Sequence, residues 1–232
     1  MASQLRVTGQ FRIERVQVLN WGAYQGCKDM RVSRGGTAIL GPSGRGKSTL
    51  LDAVASVILP NPQEFNQAAR DDKGGKRERT VYTYARGLTD RRRDERNPRS
   101  DTTTFLRPVG GPGFPSGAAI TWRHDDGRLI TVLRLAWVAS DTTAADVINA
   151  ATIYGIVHAE FDLRSLDGIS GNRAGSSPLT RHTLAPLIDE GRGDIVDASQ
   201  GRIHQRMRTT MAMGRTEESQ KLAMQLLRLL HQ

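Results

Sequence analysis

The chain is poor in the residues that anchor many folds and many chemistries. One cysteine, Cys27, in 232 residues excludes an internal disulfide, and a lone thiol in a reducing cytoplasm reads as a small core residue rather than a nucleophile. Aromatic side chains make up 5% of the sequence, so the core must be aliphatic. His124, His158, His182, His204 and His231 share no metal-ligand spacing with the cysteine, and no Ser-His-Asp order with a nucleophile elbow occurs, which removes zinc sites and serine-hydrolase chemistry from the reading. The N-terminal MASQLRVTGQFRIERV lacks the apolar stretch of a signal peptide, and no run approaches the ~18 apolar residues of a membrane span. Neither export nor membrane insertion is expected. Acidic residues are outnumbered: 24 Asp and Glu stand against 33 Lys and Arg, a formal charge of +9, with an isoelectric point near 10.4. That balance favours a polyanionic partner such as nucleic acid, with mere solubility as the plain alternative.

What is present is enough for one large domain, with 24 glycines and 9 prolines implying many turns. FRIERVQV (11–18) and the apolar Thr37-Ala-Ile-Leu40 read as strands, the second buried and leading straight into glycine. WGAYQG offers a turn and KDMRVS an edge strand, so an antiparallel ribbon beside a central parallel strand is expected. STLLDAVASVIL, closed by Pro60, is apolar on almost every side and reads as a buried helix. Residues 66–117 read as an elaborated basic insertion around one short ordered piece, TVYTYARG, whose Tyr82 and Tyr84 alternate with Val81 and Thr83 as strand packing would. AAITWRHDDGRLITVLRLAWV predicts a hairpin turning at Asp125-Asp126-Gly127. Residues 144–166 mix helix and strand signals, and SGNRAGSSP is a loop. In TEESQKLAMQLLRLLHQ, Leu222, Leu226, Leu229 and Leu230 recur at helical spacing from a start near Thr216 or Glu217. No C-cap glycine follows, as in a piece cut from a longer coiled-coil protein.

The chemistry lies in Gly41-Pro-Ser-Gly-Arg-Gly-Lys-Ser48, a complete G-x-x-x-x-G-K-[ST] string between a predicted strand and a predicted helix. Glycines at 41, 44 and 46 let successive backbone N–H groups turn inward around a β-phosphate, and the helix that follows adds its dipole. With Pro42, Ser43 and Arg45 completing the loop, Lys47 would reach the β- and γ-phosphates, Ser48 would bind Mg²⁺, and Thr49 would support the α-phosphate. ATP and Mg²⁺ are the expected ligands, and Lys47 the residue whose charge catalysis would use.

The rest of an ATPase is harder to find. No Asn-Lys-x-Asp of a GTPase occurs. The nearest match to an apolar strand ending in two acids is LAPLIDEG, where Pro186 argues for a helix or loop bearing surface Asp189 and Glu190. ASQGRIHQR (198–206), the nearest match to an ABC signature, lies after those acids, in the wrong order. The catalytic half is therefore expected beyond residue 232 or on another polypeptide.

FRIERVQVLNWGAYQG followed by LGPSGRGKSTLLDAV resembles the N-terminal head segment of MukB-like SMC ATPases, especially the MksB and Wadjet JetC group, a likeness strengthened by FNQAARDDKGGKRERTVYTYARG and LRLAWV. The resemblance implies an α/β fold: a P-loop ABC/SMC-type head lobe over 1–214, with a mixed sheet and an antiparallel ribbon, and a coiled-coil arm starting at 215–232. It also implies a C-terminal head lobe with signature and Walker B motifs, a second head in a homodimer, kleisin-type and accessory subunits, DNA bound without sequence preference, and a cytoplasmic, nucleoid-associated role in chromosome organisation or plasmid defence. Trp21, Gly22 and Tyr24 would lie near the adenine, although Trp21 serves equally well as core. The family's glutamine-loop ligand has no counterpart between Gln67 and Gln200, and neither Gln63 nor Gln67 is assigned to it. Arg70 is a candidate arginine finger.

From Lys76 to Arg99 nine basic residues face four acidic ones, a net +5. Lys76, Arg77, Arg79, Arg91, Arg92 and Arg93 are therefore candidate contacts to DNA phosphates, against the alternative of a solvated, partly self-neutralised loop. Two rival functions remain. An ABC transporter nucleotide-binding subunit would need a signature and Walker B motif after Lys47; a DNA-binding module with a relict P-loop would bind DNA whether or not Lys47 were present.

Overall fold

The computed structural model describes residues 10–42, 44–58, 80–92, 102–167, 169, 179–188 and 193–197. Its centre is a six-stranded sheet built from β1 (Phe11–Trp21), β2 (Tyr24–Arg31), β5 (Phe114–His124), β6 (Leu129–Val138), β7 (Thr152–Val157) and β8 (Gly193–Asp197), in the order β2-β1-β5-β6-β7-β8. Every neighbouring pair is antiparallel, with Val18 opposite Lys28, Val16 opposite Ile120 and Leu133 opposite Gly155. The expected hairpin closes where Asp125-Asp126-Gly127 lies, the Gly127 amide donating to the His124 carbonyl at 2.9 Å.

The mixed sheet with a parallel strand before the glycine loop is not what forms among the described residues. Both edges of β1 are occupied, by β2 and β5, and a turn in which the Gly36 amide donates to the Ser33 carbonyl at 3.0 Å takes the chain out of the ribbon. Thr37–Leu40 then forms no regular element and has no strand partner in the described structure; Ile39 packs against the core, and Leu40 is 90% exposed.

The sheet is buried on both faces because β6, LITVLRLAWV, is apolar on both. Ile130, Val132, Ala136 and Val138 join α1 (Lys47–Ile58), α2 (Val81–Arg86) and α3 (Ala145–Ala150) in one core. Leu133, Leu135 and Trp137 meet Phe161, Leu163, Leu166, Leu184 and Ile188, from a 3-10 turn (Leu163–Leu166) and the α4 region (Arg181–Leu184) on the other face. This is the period-2 alternation of a strand with an apolar layer on each side. Helix α1 forms as expected, with Leu50, Ala53, Ala55 and Val57 buried, but it is not covered all round: Leu51 is 54% exposed.

TVYTYARG is a helix, not a strand. Thr80 and Thr83 form a reciprocal capping box, the Thr83 amide donating to the Thr80 hydroxyl and the Thr80 amide to the Thr83 hydroxyl, and Gly87 ends the helix in the left-handed conformation at φ 70°. Two satisfied caps outweigh the modest strand preference of Val, Thr and Tyr. The region read as mostly irregular also holds a two-stranded ribbon, β3 (Leu88–Arg92) with β4 (Thr102–Phe105), Arg91 opposite Thr103. Pro186 sits in a short 3-10 turn, as its ring favours, while Asp189, Glu190, 198–206 and the C-terminal leucine pattern lie outside the described residues.

One buried cation fastens the outer ribbon to the lower layer. The Arg15 side chain is 2% exposed and pairs with Asp29 at 2.5 Å, Glu160 at 2.6 Å and Asp162 at 3.3 Å. Cys27 lies beside this cluster; burial, together with Asp162, Asp167 and Asp29, pushes its thiol up to about 11, so it stays protonated and unreactive at neutral pH.

Candidate functional site

The glycine loop follows Thr37–Leu40, exposed except at the half-buried Ile39, and runs into the start of α1. Gly44 and Gly46 have φ values of 77° and 88°, in the region where a Cβ is strained and glycine is not. Lys47 folds back over the loop, its Nζ donating to the Gly41 carbonyl at 2.6 Å and the Pro42 carbonyl at 2.8 Å. An ammonium held by neutral carbonyls exchanges them readily for phosphate oxygens, which offer full negative charge. Ser48 and Thr49 occupy the first turn of α1 and are half-buried, whereas Gly41, Pro42, Gly44 and Arg45 are exposed; Ser43 lies outside the described residues.

Behind the loop sits a support the sequence does not announce. The Tyr24 hydroxyl donates to the Gly46 carbonyl at 3.0 Å, and the Leu50 amide donates to the same oxygen at 3.0 Å. The Trp21 indole N–H donates to the Thr49 carbonyl at 3.2 Å while its ring stacks on Tyr84, centroids 5.0 Å apart. Trp21 is 1% exposed, so it is core and offers no face to a base. The Tyr84 hydroxyl donates to Asp52, a fully buried carboxylate on α1, and the Gly22 amide donates to the Tyr84 carbonyl at 2.7 Å. The turn can take this path because Asn20 adopts φ 47° at a bulge in β1, fixed by its side chain bonding Pro115 and Gly26; asparagine tolerates that conformation better than most residues.

Two arginines missed by sequence reasoning complete the support, and both are held by carbonyls instead of carboxylates. Arg107 donates to Ala85 at 2.6 Å, Gly22 at 2.8 Å, Tyr84 at 3.3 Å and Tyr24 at 3.4 Å. Arg86, fully buried, donates to Pro108, Ala139, Ser140 and Thr142, and both guanidinium groups lie 5.7 Å from the Phe114 ring. Burial, with Arg86 nearby, pulls Arg107 down to about 10, still protonated at neutral pH. No motif betrays these residues; their only sequence mark is a position flanked by glycine or proline.

Of the candidate DNA contacts, Arg91 and Arg92 are on β3, opposite Thr103 and Thr102, while Lys76, Arg77, Arg79 and Arg93 lie outside the described residues, as do Gln63, Gln67 and Arg70. A cleft of about 260 Å³ lined by Arg12, Glu14, Arg34, Arg123 and Asp125 opens at the far end of β1, where its charges already pair with each other.

Residues 13–72 match the family model described as the P-loop containing region of AAA domain. This is a P-loop nucleotide-binding region. The matched stretch takes in most of β1, β2, the glycine loop and α1, while Tyr84 and Arg107 of the support lie outside it, and the mixed α/β architecture accords with a P-loop NTPase. Comparison with curated proteins gave no match. The donor set fits a nucleoside triphosphate with Mg²⁺: a Cβ on Gly41 or Gly44 would meet open space, a lysine stands over the loop, and a serine hydroxyl sits at the helix start as a magnesium ligand would. Among the described residues no helix is long and apolar enough to cross a membrane, and no group of three or more His, Cys, Asp or Glu could hold a metal ion.

Proposed function

We propose that the chain is the ATP-binding half of an SMC-like ATPase head of the MukB type, binding ATP-Mg²⁺ through Gly41 to Thr49 and coupling head engagement to DNA in chromosome organisation or plasmid defence. Lys47 carries the β- and γ-phosphates, Ser48 the metal and Thr49 the α-phosphate. The partners are a C-terminal head lobe with signature and Walker B motifs, a second head, kleisin-type and accessory subunits, and DNA bound through phosphates by the basic insertion, all in a cytoplasmic, nucleoid-associated setting.

The observation that carries this reading is the state of Thr37–Leu40. A phosphate loop sits at the end of a strand, and here the residues before it, Thr37–Leu40, have no strand partner among the described residues; Ile39 packs against the core, while Leu40 and Leu51 are open to solvent. Apolar backbone beside a site favours strand addition from another segment. Such strands would bring the acid that polarises the attacking water.

The test is Mg²⁺-dependent binding of a fluorescent ATP analogue to the chain and to Lys47→Ala, with and without a candidate C-terminal lobe. Binding by the wild type alone, with hydrolysis only after the lobe is added, supports the divided head. Equal binding by both proteins, or none by either, overturns it.

A further inference from the structure

Gly46 links the loop to the rest of the molecule through a single oxygen. Its carbonyl accepts from the Leu50 amide, which begins the α1 ladder, and from the Tyr24 hydroxyl, each at 3.0 Å. The peptide plane carrying that carbonyl also carries the Lys47 N–H, so whatever fixes the carbonyl fixes the direction of a donor at the mouth of the loop. Tyr24 is the first residue of β2 and owes its placement to the turn before it. That turn is held from behind by Arg107, whose guanidinium takes the carbonyls of Gly22 and Tyr24 on one side and those of Ala85 and Tyr84, on α2, on the other.

We infer that Arg107 is a positioning residue for nucleotide binding, acting through the Gly22–Tyr24 turn and the Tyr24 hydroxyl to preset the Gly46 carbonyl and with it the phosphate loop; this rests on the nucleotide-binding reading above. The choice of arginine follows from geometry. A planar fork with five donors can hold carbonyls on two elements at once, which an ammonium on a single stem cannot. Among the described residues no carboxylate pairs with Arg107, and Gly87 shows how tight the packing is: a Cβ there would stand 2.7 Å from the Arg107 guanidinium and 2.6 Å from the Gly22 carbonyl. A buried cation held by carbonyls and one aromatic ring is a costly way to join two segments, and its position behind the loop gives that cost a function.

The experiment compares the full chain with Tyr24→Phe, Arg107→Lys, Arg107→Met and the Tyr24→Phe/Arg107→Met double variant. Three quantities are read: hydrogen exchange of the Leu50 amide without nucleotide, affinity for a fluorescent ATP analogue with Mg²⁺ well below the lowest melting temperature, and melting temperature itself. Tyr24→Phe loses one hydrogen bond and no packing, so Leu50 exchange rises and affinity falls about 5-fold, the worth of one such bond, with little change in melting. Arg107→Met reproduces both effects and also lowers the melting temperature. Arg107→Lys recovers part of the melting temperature but not the affinity. The double variant binds no more weakly than the weaker single one, since both act on one oxygen. If Arg107→Met and Arg107→Lys lower only the melting temperature, or the two losses add, the inference is overturned. If wild type and Lys47→Ala bind nucleotide equally poorly, the nucleotide reading falls, and Leu50 exchange decides the positioning role alone: an unchanged rate in both Tyr24→Phe and Arg107→Met rejects it.

Discussion

Replacing Gly22 by alanine tests how closely the β1–β2 turn supports the phosphate loop. Gly22 has φ 56°, and a Cβ built on it would lie 2.4 Å from the Thr49 methyl carbon, against an optimal separation of about 3.5–4.0 Å between carbons. Two costs combine. Holding alanine in the left-handed region costs about 1–2 kcal/mol, and forcing a methyl into a filled space costs about 1–3 kcal/mol more. Gly127 provides the control, since its φ is 91° and a Cβ there meets nothing within 4 Å. Gly127→Ala should therefore show the backbone cost alone, about 1–2 kcal/mol in urea unfolding, and Gly22→Ala about 2–5 kcal/mol. The second readout is affinity for the ATP analogue. Pushing Thr49 displaces the first turn of α1, so Gly22→Ala weakens binding while Gly127→Ala, in the distant hairpin, leaves it unchanged. Equal losses of stability in the two variants, or unchanged affinity in Gly22→Ala, would show that the turn does not bear on the loop.

Acid should loosen the outer ribbon. Hydrogen bonds from Arg164 first, then from Gln17 and Arg15, hold the Asp162 carboxyl well below the usual range, and Arg15 does the same for Asp29. The folded state thus binds fewer protons than the unfolded chain, and the stability from both groups is fully present above about pH 4 and lost as pH falls below it; Asp162→Asn should flatten the urea-midpoint profile in that range. Joint replacement of Arg91, Arg92 and Arg93 by alanine should reduce the slope of log affinity for duplex DNA against log salt by up to about 3, measured by fluorescence anisotropy, whereas a solvated loop predicts no change. Leu40→Ser, at a side chain 90% exposed, should leave melting within about 0.5 kcal/mol of wild type yet abolish stimulation of hydrolysis by an added C-terminal lobe; undiminished stimulation would remove Leu40 from that contact.

The parts of this molecule legible in the sequence are those whose signal is local. The Asp-Asp-Gly turn and the alternation of β1 each depend on neighbours within a few residues and form where they are expected, and the glycine-loop string is followed by its helix α1 though not preceded by a strand. TVYTYARG misleads because alternation of Val, Thr and Tyr is as readable as a strand, while the deciding evidence is the pair of threonines three apart and the glycine after them. Thr37–Leu40 misleads in the opposite way: its apolar run states a preference for a sheet interior, and preference alone supplies no neighbouring strand. Arg86 and Arg107 are invisible because their partners are backbone carbonyls distributed over residues 22–142, which leave no mark on composition. Asp52 could have been noticed, as a lone acid on an otherwise apolar helix implies a buried partner.

Among the described residues the loop is supported from the β1–β2 side, and holding a nucleotide asks for different groups than cleaving it. On the β1–β2 side the Trp21 indole, the Tyr24 hydroxyl and, through them, Arg107 and Tyr84 fix the carbonyls of Gly46 and Thr49. These contacts need nothing from outside the chain, so the backbone donors that bind phosphate are already directed. Hydrolysis asks for something different, a carboxylate beside the γ-phosphate to orient water. The acid on α1, Asp52, is fully buried and accepts from the Tyr84 hydroxyl, so it is committed to the core. Leu40, Pro42 and Leu51, before and after the loop lysine, are each open to solvent. Under the divided-head proposal that carboxylate comes from the added C-terminal lobe, and the stimulation assay on Leu40→Ser reads whether the lobe docks beside the loop.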